Sequence, residues 1–210
     1  MDYATEQEAF WAGGFGDDYT RRNDDRAVIA ANTALFSRIL ARTSGISSVM
    51  EFGANRGMNL CALRPLLPEA QFSAVEINAH AVDLLRQTTG ATVYHQSLLS
   101  FEPPDAYDLV IVKGVLIHLN PDSLGQAYQV LHASTRRYLV VAEYYNPTPV
   151  AVAYRGHSER LFKRDFAGDL LEHFADLSLL DYGFVYHRDP VFPLDDITWF
   201  ILQKTSSRST

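Results

Sequence analysis

The sequence has very little cysteine. Cys61 is the single cysteine among 210 residues, which excludes an internal disulfide framework and a cysteine metal cluster. Its position just inside a predicted helix favours packing of the Cys61 side chain over a nucleophilic role. The seven histidines are scattered without the spacing of metal ligands, so no catalytic metal is expected.

Basic residues are in the minority. The chain carries 18 lysine and arginine residues against 25 aspartate and glutamate residues, and its formal net charge is −7. Apart from a short group at 160–164, the basic residues form no run, and the electrostatic footprint of a nucleic-acid-binding surface is missing. We therefore expect a small-molecule partner and no nucleic acid.

Long apolar runs are missing as well. Nowhere do apolar residues continue far enough to span a bilayer, and the amino terminus has neither the basic start nor the apolar segment of a leader. We expect a cytoplasmic protein with no membrane partner, and the sequence indicates nothing about its oligomeric state. With 47% hydrophobic and 20% charged residues, the composition is that of one ordinary globular domain.

What the sequence does contain is a stretch that turns from an apolar run through two glycines into a helical pattern. Residues 49–60 read VMEFGANRGMNL, which predicts a strand, a glycine loop and a helix. Gly53 and Gly57 allow the backbone to approach a ligand closely, and the N–H groups of the first helical turn face that ligand. The pattern is weak by itself, and a purely structural loop is the alternative.

Predicted strands and helices alternate along most of the chain. After a helix at 27–40 that begins at Asn23 and Asp24, the first strand is followed by strands at 71–77, 91–95, 107–112 and 138–142, separated by helices at 59–67, 79–88 and 121–133. This order predicts a doubly wound parallel sheet. An irregular segment follows Pro147, and two closing strands at 177–186 and 196–203 predict an antiparallel hairpin at the sheet edge. Asp195 and Asp196 are assigned to turn chemistry.

An acidic residue ends the second predicted strand. Glu76 lies 25 positions after Glu51, close to the spacing at which a carboxylate accepts hydrogen bonds from the ribose hydroxyls of a nucleoside cofactor. The Gly-x-Gly-x-x-Gly pattern of a dinucleotide site is missing, because Glu51 stands in place of its first glycine. A carboxylate there repels a pyrophosphate and attracts an amino group or a sulfonium. The pattern therefore favours S-adenosylmethionine and disfavours an NAD-dependent oxidoreductase.

On these residues the sequence resembles the class I S-adenosylmethionine-dependent methyltransferases, with 51–57 as their first motif and Glu76 as their ribose-binding acid. Segments at 10–19, 113–118, 142–149 and 160–166 are similar to the methylases associated with pseudaminic acid biosynthesis. The resemblance implies a Rossmann-like, seven-stranded, mostly parallel sheet with an antiparallel last strand and helices on both faces, in a single domain. It also implies S-adenosylmethionine as cofactor and S-adenosylhomocysteine as product.

The ends of the chain differ from this domain. Residues 1–25 combine glycines with large aromatic side chains, among them Trp11, Phe15 and Tyr19. These rings either fold over a ligand as a lid or pin the terminus to the domain. We predict a lid or cap segment at 1–25, the methyltransferase domain at 26–204 and a disordered tail at 205–210.

The residues expected to bind the cofactor come from the lid, the glycine loop and the strand ends. Ser97 takes the place where the family often has an aspartate or asparagine against adenine. Arg22 is expected either to pair with the cofactor carboxylate or to form a surface salt bridge. The full set is Trp11, Tyr19, Arg22, Glu51, Gly53, Asn55, Gly57, Glu76, Ile77, Ser97, Leu98, Lys113 and Gly114.

Methyl transfer needs an acceptor held in line with the methyl group, and a base where the acceptor is a hydroxyl or a protonated amine. The catalytic candidates are His118, Tyr144 and His157, and the acceptor-binding candidates are Glu143, Tyr145, Asn146, Tyr154, Arg155 and Arg160. The structural alternative for His118 is capping or packing at its loop, and for Tyr144 and Tyr145 it is core packing with the hydroxyl at the surface. A clamp formed by Arg155, Arg160 and Lys163 near aromatics suits a carboxylate or phosphate, so the expected acceptor is a small anionic molecule related to sugars or nonulosonic acids. The structural alternative is a solvated basic face, and the functional alternative is a non-catalytic S-adenosylmethionine- or S-adenosylhomocysteine-binding partner in a glycan-modifying assembly.

Overall fold

The amino-terminal part of the chain is helical. The computed structural model describes residues 3–22 and 26–205, and only the backbone of Ser158. Within these ranges the chain begins with α1 (Glu6–Ala12), α2 (Gly14–Arg22) and α3 (Arg26–Leu40). Asn23 and Asp24, which were expected to start the third helix, and the predicted tail after Thr205 lie outside the described residues.

The remaining elements alternate as the sequence predicts until the fifth strand. They are β1 (Ser48–Phe52), α4 (Met58–Leu63), β2 (Gln71–Glu76), α5 (Ala79–Thr89), β3 (Thr92–His95), β4 (Tyr107–Lys113), α6 (Leu124–Ser134), β5 (Thr135–Glu143), β6 (Val150–Tyr154), β7 (His157–Lys163), α7 (Phe166–His173), β8 (Leu177–Val185) and β9 (Ile197–Lys204). Among these described helices, none is long and apolar enough to cross a membrane.

The main sheet has seven strands in the order β3-β2-β1-β4-β5-β9-β8. Strands β1 to β5 pair in parallel, and β9 runs antiparallel to both β5 and β8. The predicted fold class and the closing hairpin are confirmed. Because the strand order reverses between β1 and β4, a crevice forms outside their carboxyl ends, where open α/β sheets bind ligands.

Helices cover both faces of this sheet. The central strand β4 is a continuous apolar run whose side chains Leu109 to Val112 are fully buried, as expected for a parallel strand covered on both sides. One face packs against α3, α4 and α5 through side chains such as Phe36 and Leu85. The opposite face packs against α6 and α7 through Leu131 and Leu170.

The segment predicted to be irregular after Pro147 contains a second sheet. Strands β6 and β7 pair antiparallel, and Tyr154 faces His157 across a two-residue turn. Arg155 and Gly156 in this turn have φ angles of 48° and 85°, the left-handed geometry of a tight hairpin turn. Arginine is a weak turn signal at such a position, and the prolines favoured a loop, so the sequence did not predict this hairpin.

Candidate cofactor and acceptor site

A cavity of about 510 Å³ lies at the carboxyl ends of the parallel strands, within the size range of small-molecule sites. Its wall is formed by α1 and α2, the loop after β1, the ends of β2, β3 and β4, and the loop between β8 and β9. The structure brings many of the predicted site residues together in this wall. They are Trp11, Tyr19, Gly53, Asn55, Glu76, Ile77, Ser97, Leu98, Lys113, Gly114 and His118.

The loop after β1 depends on left-handed backbone conformations. Gly53, Asn55 and Gly57 have φ angles of 69°, 47° and 86°. A Cβ atom on Gly53 would lie 2.4 Å from Cγ2 of Val115, so only glycine allows the loops after β1 and β4 to pack this closely. Gly57 caps α4 behind the cavity. The buried Oδ1 of Asn55 has no partner within the described residues, so it is available to a ligand.

Glu76 lies at the end of β2 beside this loop. Its Oε2 accepts a hydrogen bond from the N–H of Asn55 at 2.7 Å, and its Oε1 accepts one from the N–H of Asn78 at 2.8 Å. Burial raises the pKa of Glu76 above its ordinary value, although both backbone hydrogen bonds act in the opposite direction. A carboxylate has about four lone-pair sites, so two more donors, such as the hydroxyls of a ribose, fit the fixed orientation of Glu76.

Two buried carboxylates lie near the ammonium group of Lys113. Glu51 accepts a hydrogen bond from Nδ2 of Asn59 at 2.6 Å, and burial raises its pKa to about 7. Burial likewise raises the pKa of Glu143 to about 7. Lys113 lines the cavity; burial lowers its pKa, while the charges of Glu51, Asp195 and Glu143 raise it. The cofactor candidate Glu51 therefore lies under the cavity wall and acts on the site through its charge.

Glu143 holds the loop that follows β4. Its Oε1 accepts hydrogen bonds from the N–H groups of Val115 at 2.9 Å and Leu116 at 3.0 Å. Gly114 in this loop has a φ angle of 67°, and a Cβ atom built on it would meet no atom within 4 Å. Glu143, a candidate for acceptor contact from the sequence, is 3% exposed, and the structure gives it a supporting role instead.

The amino-terminal helices close one side of the cavity. Thr5 and Glu8 form a capping box at the start of α1, and the second carboxylate oxygen of Glu8 accepts a hydrogen bond from Ser97 after β3. Asn78 donates from Nδ2 to the carbonyl of Trp11 at 3.2 Å and to Oδ1 of Asp17 at 2.8 Å. The helices α1 and α2 are thus attached to the ends of both β2 and β3. The sequence did not indicate Glu8 and Asn78, because their partners are distant along the chain.

His118 is neutral in this environment. Its Nδ1 lies 2.6 Å from the carbonyl oxygen of Arg160, and a carbonyl only accepts, so Nδ1 carries the hydrogen and Nε2 keeps a lone pair. Burial lowers the pKa of His118 to about 4. The imidazole ring lies 4.5 Å from the ring of Trp11 and 5.0 Å from that of Tyr154. A neutral imidazole of such low basicity acts as a hydrogen-bond acceptor more readily than as a proton acceptor at neutral pH.

Several predicted residues lie outside the cavity wall. The guanidinium of Arg160 is 3.4 Å from Glu6 Oε2, and that of Arg155 lies 5.7 Å from the ring centre of Tyr154 on the β6–β7 hairpin. The ring of His157 packs 5.0 Å from that of Phe10. The two arginines therefore do not converge on the cavity, and their proposed clamp stays a prediction.

The other predicted residues outside the wall have contacts of their own. The guanidinium of Arg22 lies 6.0 Å from the ring centre of Phe15. The ring of Tyr145 lies 6.0 Å from that of Phe200, and Asn146 donates to the carbonyl of Thr148 at 2.6 Å. Tyr144 reaches the wall indirectly, through a hydrogen bond to Asp195. The predicted residues absent from the wall are Arg22, Glu51, Gly57, Glu143, Tyr144, Tyr145, Asn146, Tyr154, Arg155, His157 and Arg160.

Asp195 is a site residue that the sequence reasoning assigned to turn chemistry. It lines the cavity, and its Oδ2 accepts a hydrogen bond from the hydroxyl of Tyr144 at 2.9 Å. Its neighbour Asp196 does have the expected turn role, since it accepts a hydrogen bond from the N–H of His187 at 3.0 Å. No local pattern distinguishes the two aspartates, because only the folding of the β8–β9 loop over the sheet edge separates them. Across residues 3–22 and 26–205, no group of three or more His, Cys, Asp or Glu side chains converges in a way that would hold a metal ion.

The fold is shared with solved methyltransferases. The magnesium protoporphyrin IX methyltransferase of Synechocystis, with bound S-adenosylmethionine, is similar with a TM-score of 0.69 and 15% identity, over 98% of this chain and 100% of that one. The 1,6-didemethyltoxoflavin-N1-methyltransferase of Burkholderia thailandensis, with its substrate and S-adenosylhomocysteine, is similar with a TM-score of 0.70 and 18% identity, over 98% and 93%. This chain has the class I methyltransferase fold.

A sugar N-methyltransferase of a Streptoalloteichus species has the same methyltransferase fold, with a TM-score of 0.66 and 14% identity over 98% of this chain and 97% of that one. No protein-family model and no curated protein matches the sequence. At these low identities the similarity establishes the architecture, and the chemistry has to be argued from the cavity itself.

Proposed function

We propose that this protein is an S-adenosylmethionine-dependent methyltransferase acting on a small-molecule acceptor. One observation carries the proposal: Glu76 lies in the cavity wall at the end of β2, beside the left-handed loop of Gly53, with both carboxylate oxygens oriented by backbone N–H groups. This arrangement suits the two hydroxyls of a ribose. The methyltransferase fold and the bound cofactors of its structural neighbours support the same conclusion.

The residues of the cavity fit S-adenosylmethionine and its product better than a dinucleotide. Glu76 would hold the ribose, Ser97 and Leu98 would lie against the base, and the backbone of Gly53 and Gly114 would flank the methionine portion. The buried Nε1 of Trp11 lacks a partner among the described residues, which leaves a donor for the cofactor. Unpartnered buried acceptors in the same wall are Oδ1 of Asn55, Oδ1 of Asn32, Oδ1 of Asn59 and Oε1 of Gln7. When bound, S-adenosylmethionine supplies an electrophilic methyl group on a positively charged sulfur.

The charge of the cavity wall argues against a pyrophosphate. Glu51 and Glu143 are 1% and 3% exposed, under the loops after β1 and β4. In their ionised forms these carboxylates repel the phosphates of NAD, and the sulfonium of S-adenosylmethionine favours those ionised forms. The protein's own contribution to the reaction is to fix these loops, shield the site with α1 and α2, and hold the acceptor in line with the methyl group.

The finer part of the proposal concerns the acceptor and the organisation of the chain. We propose a sugar-related or nonulosonic-acid-related acceptor with an anionic group, supported by the resemblance to pseudaminic acid-associated methylases and by the sugar N-methyltransferase among the structural neighbours. We also propose the lid at 1–25 and a cytoplasmic location. The alternative is binding of the cofactor without catalysis. It is less well supported because the polar side chains of Asp195 and His187 are exposed in the cavity wall, where an acceptor can reach them.

Transfer of a labelled methyl group tests this function. The protein is incubated with methyl-labelled S-adenosylmethionine and a low-molecular-weight extract of the native host, and labelled products are identified by mass spectrometry. The Glu76→Ala substitution is expected to raise the KM for S-adenosylmethionine by roughly 10- to 100-fold. It removes the hydrogen bonds between the ribose and the carboxylate, and hydrogen bonds to a charged group contribute about 1.5–3 kcal/mol.

Glu76→Gln is the matched variant, because it keeps the shape and one acceptor oxygen and is expected to have an intermediate KM. Thermal unfolding of both variants monitors the loop that Glu76 also supports. A native protein that forms no labelled product, or a Glu76→Ala variant with an unchanged KM, would contradict the proposal.

A further inference from the structure

Two of the three aspartates in the loop between β8 and β9 stabilise the loop itself. Asp189 accepts hydrogen bonds from the N–H groups of Val191 at 2.9 Å and Phe192 at 2.8 Å. Asp196 accepts from the N–H and from Nδ1 of His187, at 3.0 Å and 2.9 Å. Such contacts are ordinary turn chemistry for aspartate.

The third aspartate of the loop, Asp195, has a partner outside the loop and lines the cavity. Its Oδ2 accepts a hydrogen bond from the hydroxyl of Tyr144, at the end of β5. Burial and the charge of Asp195 raise the pKa of Tyr144 above its ordinary value, so the phenol keeps its proton and donates it. Within the described residues no donor is bonded to Oδ1 of Asp195, which leaves this oxygen available to a ligand in the cavity.

Asp195 lies at the opposite end of the cavity from the ribose-binding candidate. Glu76 ends β2, whereas Asp195 precedes β9, and β1, β4 and β5 lie between these two strands. Four strand spacings amount to roughly 19 Å. The end of the cavity near Asp195 is therefore separate from the cofactor's nucleoside end and lies beyond the end of β4, where Lys113 and Gly114 line the wall.

The surroundings of Asp195 favour a polar ligand. The charge of Asp195 raises the pKa of Lys113. Tyr19 of α2 raises the pKa of Tyr144, the phenol that is hydrogen-bonded to Asp195. Lys113 and Tyr19 also line the cavity. A carboxylate held by one tyrosine, with one free oxygen, is a hydrogen-bond acceptor that recognises an N–H or O–H group.

We propose that Asp195 contacts the methyl acceptor, and that the acceptor presents a protic nucleophile, an amine or a hydroxyl, to its Oδ1. This inference rests on the proposed methyltransferase function. The nucleophile's lone pair forms the new bond to the methyl carbon while the carbon–sulfur bond breaks and its electron pair stays on sulfur. The proton of the nucleophile passes to the Asp195 carboxylate. Tyr144 is a positioning residue that holds Oδ2.

Variants of Asp195 test this proposal, with the acceptor that the labelled product of the native protein identifies. Asp195→Ala is expected to lower kcat by about 100-fold or more, the range for loss of a general base, and added formate is expected to restore part of the rate. The acceptor is expected to bind the S-adenosylhomocysteine complex of Asp195→Asn more weakly in calorimetry. Affinity for S-adenosylhomocysteine itself is expected to stay unchanged in both variants, which shows that they fold.

Asp189→Asn is the matched control in the same loop, because asparagine keeps the oxygen that accepts from Val191 and Phe192. Its kcat is expected to equal that of the native protein. The proposal is overturned if Asp195→Ala keeps full turnover, or if the methylated atom is a carboxylate oxygen. These outcomes leave the proposed function intact, whereas a native protein that forms no labelled product, or that does not bind S-adenosylhomocysteine, contradicts the proposed function on which this inference rests.

Discussion

At the scale of single residues, the site balances buried charges. Glu51 and Glu143 are almost fully buried, and Lys113 lies near both at the end of β4. Burial disfavours the charged form of each group and raises the pKa of both carboxyl groups to about 7. A positively charged cofactor would favour their ionised forms, so we expect its binding to take place with release of protons from this cluster.

The raised pKa of Glu143 predicts a stability effect with a definite sign. Between the ordinary pKa of 4.5 and a folded-state pKa of about 7, the folded protein keeps a proton that the unfolded chain has lost. The free energy of unfolding contributed by Glu143 therefore falls as the pH rises through this window. Glu143→Gln keeps the acceptor for Val115 and Leu116 but has no proton to lose.

We compare the free energy of unfolding of Glu143→Gln with that of the native protein at two pH values. The variant-minus-native difference is expected to be about 3 kcal/mol larger at pH 8 than at pH 4.5, since each pKa unit corresponds to about 1.4 kcal/mol. Urea unfolding at both pH values measures this difference. Glu172→Gln, at an exposed position of α7, controls for the loss of one negative charge. An equal difference at both pH values would show that Glu143 is not held in its protonated form.

At the scale of elements, side-chain hydrogen bonds and ring contacts attach the helices α1 and α2, which we propose as a lid, to the rest of the chain. Asn78 contributes three of these hydrogen bonds: its Nδ2 donates to the carbonyls of Trp11 and Ala12 and to the side chain of Asp17, while its Oδ1 caps α5 at the N–H of Ala81. One side chain thus holds the lid with its donor and begins a helix with its acceptor.

These two roles of Asn78 can be separated by substitution. Asn78→Asp keeps the α5 cap but loses every donor to the lid and places a second carboxylate beside Asp17. We expect amide exchange in residues 6–22 to accelerate by about 10- to 100-fold, as loss of a hydrogen bond to a charged group predicts, while α5 keeps its protection. Asn78→Ala is expected to affect both. Equal exchange of the lid in Asn78→Asp and in the native protein would show that other contacts hold it.

The elements also show what the sequence can and cannot predict. The buried strand β4 and the loop from Gly53 to Gly57 were predicted because their signals are local: a continuous apolar run, and glycines at positions with positive φ. Helices α1 and α2 were not predicted, because Gly13, Gly14 and Gly16 oppose a helix. The packing explains one of these glycines, since a Cβ on Gly16 would lie 1.9 Å from the carbonyl oxygen of Trp11.

Within the site, the same division between local and distant signals applies. Glu76 could be identified because its spacing from the first strand is a local pattern that fixes its place in the fold. Asp195 could not, since it enters the cavity through a hydrogen bond to Tyr144, 51 residues away in the chain. The arginines at 155 and 160 looked like an anion clamp by composition, yet the turn of the β6–β7 hairpin carries Arg155 away from the cavity.

At the scale of the whole molecule, we propose that the carboxyl edge of the parallel sheet binds a nucleoside cofactor at one end and an acceptor at the other. The switch point between β1 and β4 creates the cavity, helices α1 and α2 close one side of it, and the β8–β9 loop brings Asp195 into its wall. The fold and the local motif together predict the cofactor part of the candidate site. The acceptor part depends on side chains that are distant in the sequence and come together only in the folded chain.

Calorimetric titration of the native protein with S-adenosylhomocysteine and, separately, with NAD tests the central claim most directly. We predict saturable binding of one S-adenosylhomocysteine per chain and no saturable binding of NAD, because a pyrophosphate would be repelled by the ionised forms of Glu51 and Glu143 under the cavity wall. Saturable binding of NAD without binding of S-adenosylhomocysteine would contradict this claim.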